Sequence, residues 1–182
     1  MTVRNRLNLL ERTVQSLVEA EIKPPHIHVF DDRSEDPDSI KRILQPVEHA
    51  YHLNEHQYGC DANTPRAIEW AFANTDADAV VVMDSDLIFA PNWRKVLDRL
   101  LEVITTDPLA IAGSLLHLDN VTAKRRSLKY NDLLECDMGG AAGMIVTRRF
   151  WTDFIKPFGD KAWFYWDAGS IAAAIACGFK FY

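Results

Sequence analysis

Leu7, Leu10, Val14, Leu17 and Val18 recur at helical spacing, and Pro24-Pro25 closes the segment. That spacing predicts an amphipathic first helix. His26-Ile27-His28-Val29-Phe30 reads as a short strand ending at Asp31-Asp32. Asp36-Pro37 pairs an N-cap with a residue suited to the first helical position, so a second helix runs through Ile40 and Leu44. Tyr51 to Asn63 is polar and loop-like, with a short strand near His52, and Thr64-Pro65 opens a third helix through Ile68, Ala71 and Phe72. The apolar run Ala79 to Met83, bounded by polar residues, predicts a buried strand. Pro91-Asn92-Trp93 starts a fourth helix through Val96, Leu97, Leu100, Leu101 and Ile104. Leu109 to Leu116 reads as a strand, Asp119 to Asp137 as a loop or hairpin, and Gly143 to Thr147 as another strand. A short helix from Arg148 to Ile155 ends before Pro157. An Ala-rich helix from Asp167 to Cys177 stops at Gly178, and a last strand begins at Phe179.

Strands alternating with helices predict an α/β fold, a mostly parallel sheet flanked by helices. No repeat or low-complexity linker interrupts the chain, so residues 1–182 read as one domain. Both ends read as cut: no strand precedes the first helix, and the last strand stops at Tyr182.

Composition narrows the function classes. At 182 residues the chain can bury a proper core, and its 48% hydrophobic and 25% charged residues are ordinary for a globular domain. A net charge of -6 argues against a nucleic-acid backbone as the main partner, because there is no basic surplus to neutralise phosphates. Lys124-Arg125-Arg126 reads as a solvated loop or a local phosphate contact. The three cysteines, Cys60, Cys136 and Cys177, are far apart and form no C-x-x-C pair, so a reducing cytoplasmic setting fits better than a disulfide framework. The first residues lack the apolar core of a signal peptide, and no apolar run approaches membrane-spanning length.

The chemistry concentrates at strand ends. Asp84 and Asp86 follow the Ala79 to Met83 run, and two carboxylates two residues apart in extended chain share a side. Ligands of open α/β sheets bind at the carboxyl ends of strands. Two anionic oxygens there suit a divalent cation such as Mn²⁺ or Mg²⁺, which in turn suits a diphosphate. The same residues also read as a solvated turn. Asp31 and Asp32 end the earlier strand, where a carboxylate can accept from ribose hydroxyls or close an Asx-turn. Asp167, beside Trp163, Phe164, Tyr165 and Trp166, reads as a general base in apolar surroundings or as a helix N-cap. Gly139, Gly140 and Gly143 permit close backbone approach or serve as turn residues. Arg66 reads as a phosphate contact or as an exposed helical residue. His26 and His28, or His52 and His56, lack the acidic or Cys partners of a zinc site.

Taken in order, these segments resemble the family 2-like glycosyltransferases with a GT-A nucleotide-sugar-binding fold. Thr2-Val3-Arg4-Asn5-Arg6 and the helix to Leu17 are similar to the family's first loop and helix. Phe30-Asp31-Asp32-Arg33-Ser34-Glu35-Asp36 resembles its D-D-x-S-x-D segment, and Met83-Asp84-Ser85-Asp86 its D-x-D motif. Gly139 to Met144 resembles the glycine-rich acceptor-side strand, and Trp166-Asp167 the E-D or W-D segment. The family's apolar strand ahead of Thr2 is missing.

The resemblance implies a metal-dependent enzyme that moves a sugar, with inversion, from a UDP- or GDP-linked donor to an acceptor hydroxyl. It implies nucleotide-sugar contacts from Thr2, Arg6, Asp31, Asp32, Arg66, Asp84 and Ser85, metal ligation by Asp84 and Asp86, and Asp167 as the base. Gly139, Gly140 and Trp166 then fall on the acceptor side. The acceptor would be a carbohydrate, a lipid-linked molecule or a protein, with peripheral membrane contact in the second case. Two alternatives remain: a nucleotide-binding remnant without turnover, and a phospho-accepting receiver-like domain using Asp31-Asp32 and Asp84.

Overall fold

A computed structural model describes residues 1–20, 27–115, 124–126, 132–136, 142–157 and 166–182. The chain divides into two units, Met1–Ala67 with Met83–Lys95, and Ile68–Val82 with Val96–Tyr182.

The first unit begins with β1 (Thr2–Val3), α1 (Leu7–Glu19), β2 (His28–Asp31), α2 (Pro37–Leu44) and β3 (Ala50–Leu53), and reaches into α3 (Cys60–Asn74). Its three strands lie in the order β1-β2-β3 and are parallel throughout, with Val3 opposite Asp31 and Asp31 opposite Leu53. Asp84 extends this edge: it bridges Thr2 in parallel, and the Thr2 amide donates to the Met83 carbonyl at 2.9 Å. α1 buries Leu10, Val14 and Leu17 and packs against α2, whose Ile40 and Leu44 are buried. α2 starts as its sequence requires: the Asp36 carboxylate accepts from the Ser39 amide at 3.0 Å, with Pro37 in the first turn.

The second unit holds β4 (Ala79–Val81), most of α4 (Trp93–Thr106), β5 (Ala110–Ser114), β6 (Lys124–Arg126), β7 (Leu134–Cys136) and β8 (Met144–Thr147). Then come α5 (Arg148–Phe150), continued by the π-helical turn Trp151–Ile155, α6 (Trp166–Ala176) and β9 (Lys180–Phe181). The sheet order is β4-β8-β5-β9-β7-β6. β8 runs antiparallel to both β4 and β5, β5 is parallel to β9, and β7 is antiparallel to β9 and β6. Ile68, Phe72, Ile111, Met144, Phe150, Trp151 and Ile171 belong to one apolar cluster in this unit. Gly113 is required where β5 meets the chain's last residue: a Cβ there would stand 2.8 Å from the Tyr182 carbonyl. Arg148 caps the end of α3, donating to the carbonyls of Phe72 (2.9 Å), Thr75 (3.1 Å) and Ala77 (2.8 Å).

The α/β expectation holds: the first unit's sheet is parallel throughout, and in the second unit β5 and β9 form a parallel pair. Three local readings change. Thr2–Val3 is a strand ahead of the first helix, because its backbone pairs with β2 and with Met83-Asp84 even though two residues carry no periodic signal. α3 begins at Cys60, four residues before Thr64, because hydrogen bonds from the Tyr58 and Gly59 amides to Asp32 fix its entry despite Pro65. The segment from Arg148 widens into a π turn at Trp151. Within Asp119 to Asp137, Lys124–Arg126 and Leu134–Cys136 pair antiparallel, in line with the hairpin reading. Among the described residues no helix is long and apolar enough to cross a membrane.

Candidate functional site

The carboxyl ends of β1, β2 and β3 and the turn after Met83 all lie in the first unit. That edge collects Asn5 and Arg6, Asp32, Asn54 and Asp84 to Asp86, the arrangement in which open parallel sheets bind ligands.

Asp84 sits on the bridge to Thr2, and Ser85 and Asp86 form a turn. Asp84 and Asp86 are therefore linked through a turn rather than along an extended strand. Asp84 Oδ1 accepts from Thr2 Oγ1 at 3.0 Å. Burial raises the Asp84 pKa; the Asp86 charge adds to the rise, while the Thr2 hydroxyl and Arg6 oppose it. Asp86 Oδ2 accepts from Arg6 Nη1 at 2.8 Å, and both side chains stay open to solvent. The Ser85 carbonyl accepts from Thr13 Oγ1 at 3.0 Å, and Ser16 Oγ accepts from the Phe89 amide at 3.0 Å. Thr13 and Ser16 thus anchor the acidic turn to α1. Both are buried on the helix face that carries Leu10, Val14 and Leu17. Polar residues on an otherwise apolar stripe were the signal that could have marked them.

Asp31 and Asp32 are almost entirely buried, at 0% and 3% exposure. Asp31 accepts from the Ser34 amide at 2.8 Å and from the Tyr51 hydroxyl. Burial, then Asp31 itself, drives the Tyr51 pKa upward, so Tyr51 remains a neutral donor. Asp32 accepts from the Tyr58 amide (2.7 Å), the Gly59 amide (2.8 Å) and Asn54 Nδ2 (3.2 Å). Gly59, at a φ of 81° that L side chains rarely adopt, then accepts the first helical bonds of α3. The acidic pair builds the walls of the strand-end edge: Asp31 shapes the loop after β2, and Asp32 ties β2 to the entry of α3. Arg66 lies over the Tyr58 ring, 4.0 Å from its centroid, on that same helix.

Arg6 is aimed by an unusual backbone. Asn5 and Arg6 have φ of 50° and 46°, left-handed values that cost L residues energy unless the surroundings enforce them. The enforcement comes from Ser34 Oγ, which accepts the Asn5 amide at 2.8 Å, and from Asn5 Oδ1, which accepts the Glu35 amide at 2.9 Å. Asn5, Ser34, Tyr51, Asn54 and Tyr58 complete a network of which only the two aspartates stood out in the sequence.

In the second unit, Asp167 lies in the first turn of α6 and its Oδ1 accepts from the Ala168 amide at 2.8 Å. Trp166 is 5% exposed and belongs to the apolar cluster. Gly139, Gly140, and Trp163 to Tyr165 lie outside the described residues, as does His26.

The profile of glycosyl transferase family 2 matches residues 1–166. The chain belongs to that family. Among solved structures it is similar to the mannosyltransferase PcManGT from Pyrobaculum calidifontis, determined in complex with GDP-Man and Mn²⁺, with a TM-score of 0.65 and 15% identity. The match covers 99% of this chain and 52% of that one, so the chain spans about half the length of the protein it resembles. At that identity the likeness carries the GT-A-like fold. No curated protein matches the sequence at a significant level. Family membership removes the receiver-like alternative.

The residues present fit a divalent cation. Asp84 and Asp86 offer hard oxygen donors, and each keeps one carboxylate oxygen outside the bonds to Thr2 and Arg6. Among the described residues no group of three His, Cys, Asp or Glu side chains forms a cage. Two carboxylates with the remaining positions left to water and phosphate is the way Mg²⁺-type ions are held at diphosphates.

Proposed function

We propose that this chain transfers a sugar from a nucleoside-diphosphate donor, UDP- or GDP-linked, to an acceptor hydroxyl, with the donor held at the strand-end edge of the first unit. One observation carries the reading: in a family 2 chain, the turn Asp84-Ser85-Asp86 stands at the carboxyl edge of the parallel sheet, with Asp84 held by Thr2 and Ser85 by Thr13. Asp84 and Asp86 would hold the divalent cation, which when bound neutralises charge developing on the diphosphate leaving group. GDP-Man and Mn²⁺ in the similar mannosyltransferase favour a GDP-sugar as the first donor to test.

Arg6 and Arg66 are the cations assigned to the diphosphate side. Thr2 and Ser85 frame the turn, and Asp31 and Asp32 act mainly by fixing the loops that surround the nucleotide. Asp167 is assigned as the base: its carboxylate takes the acceptor proton as the acceptor oxygen bonds to the anomeric carbon and the bond to the diphosphate breaks, which inverts the centre. The acceptor is a carbohydrate, lipid-linked or protein hydroxyl.

The test is turnover of GDP- and UDP-sugars with Mn²⁺ or Mg²⁺, followed as nucleoside diphosphate released. Metal-dependent release that falls at least about 100-fold in Asp167→Asn and in Asp86→Ala supports the assignment. Tight metal-dependent binding without release, by a folded chain offered a range of acceptors, would favour the non-catalytic remnant.

A further inference from the structure

The acidic turn already carries a cation of its own. Arg6 Nη1 stands 2.8 Å from Asp86 Oδ2, while the neighbouring Asp84 carboxylate accepts from the neutral Thr2 hydroxyl. The pair is open, with side-chain exposures of 63% and 38%, so a hydrated ion can reach Asp86. Arg6 is held near by design of the loop. Its own backbone and that of Asn5 are left-handed, and Ser34 and Glu35 lock Asn5 from the loop after β2. A long side chain on a fixed stem can swing its guanidinium without moving the backbone that delivers it.

We propose that Arg6 is a placeholder at Asp86: it pairs with the carboxylate when no metal is bound, competes with a divalent cation for that oxygen, and once displaced pairs with the donor diphosphate. The inference rests on the metal and diphosphate roles proposed above. Its consequence is coupling. A divalent cation arriving alone must break the ion pair and lie close to a freed positive charge. With a diphosphate present, Arg6 has a second anion to bind, and a guanidinium suits phosphate oxygens well. Metal and nucleotide should therefore bind cooperatively, and the site should resist loading with free metal.

The experiment measures Mn²⁺ binding to the full chain without nucleotide, by electron paramagnetic resonance of free Mn²⁺. It is repeated for Arg6→Gln, Arg6→Lys and Asp86→Ala, with circular dichroism confirming the fold of each. GDP and UDP affinities are then measured at saturating Mn²⁺. Exposed ion pairs are weak, so Arg6→Gln should tighten Mn²⁺ binding by about twofold to fivefold. The same variant should weaken nucleotide binding, and Arg6→Lys should fall between it and wild type. Arg6→Gln binding Mn²⁺ no better than wild type, while Asp86→Ala loses Mn²⁺, overturns the placeholder and leaves the metal site standing. Asp86→Ala binding Mn²⁺ like wild type overturns the metal assignment itself, and the placeholder with it.

Discussion

Asp32 places both carboxylate oxygens on the chain itself, and this defines what single residues do at the candidate site. Its partners are two backbone amides and Asn54, all at the junction of β3 and α3. Asp32→Ala strands the Tyr58 and Gly59 amides and should cost about 1–3 kcal/mol. It should also weaken nucleotide binding by loosening the wall that bears Arg66, and denaturant unfolding together with calorimetry reads the two effects separately. Tyr51→Phe removes the half-buried hydroxyl from which the buried Asp31 carboxylate accepts. An unfolding free energy lower by about 1–3 kcal/mol is expected, because a buried carboxylate left short of donors keeps its desolvation cost. Sequence pattern made Asp31, Asp32, Asp84 and Asp86 visible, since acidic residues after apolar runs are conspicuous. Thr13, Ser34, Tyr51 and Asn54 stayed hidden because their importance lies in partners 20 or more residues away.

Elements with local start signals were the most legible. α2 follows directly from Asp36-Pro37, and its cap is ionised in function: hydrogen bonds from the Ser39 hydroxyl and amide hold the Asp36 pKa below its ordinary value. A carboxylate whose folded pKa is depressed stabilises above the unfolded value of about 3.9 and loses that effect as pH falls through the folded value. Asp36→Ala should therefore lower the thermal midpoint at neutral pH, with the gap to wild type closing in acid. β2 and β3 carry a second pH signature. His52 stacks on Phe30 with ring centroids 4.6 Å apart, and its Nε2 lies 3.2 Å from His28 Nδ1. Burial lowers the His52 pKa. The unfolded chain then takes up the proton first, so stability is fullest above about pH 6.5 and falls as pH drops below it. Comparing thermal midpoints at pH 7.5 and 5.5, His52→Phe should show a smaller drop than wild type; an equal drop would place the acid sensitivity elsewhere. α3 was the misjudged start, because Thr64-Pro65 is a sound local signal that the buried carboxylate of Asp32, just after β2, overrides.

At the scale of the whole molecule, alternating strands and helices were enough to expect an α/β layout, and the order of motifs was enough to suggest the family. Strand direction was not legible. β4, β5 and β8 are all short apolar runs, and nothing in such a run states that β8 lies antiparallel between the other two. The two-residue β1 was likewise beyond any periodic pattern, and it acquires its strand character from neighbours on both sides. That short strand matters because Thr2 joins the acidic turn to the parallel sheet, and with it the loop that carries Arg6. The central claim is that this edge binds a nucleoside diphosphate through a cation held at Asp84 and Asp86. Calorimetric titration of GDP and UDP, with and without Mn²⁺, into the wild-type chain and Asp86→Ala tests it most directly. The account predicts binding that requires Mn²⁺, prefers one nucleotide and is lost in the folded variant. Equal binding with and without Mn²⁺, or undiminished binding by Asp86→Ala, would contradict it.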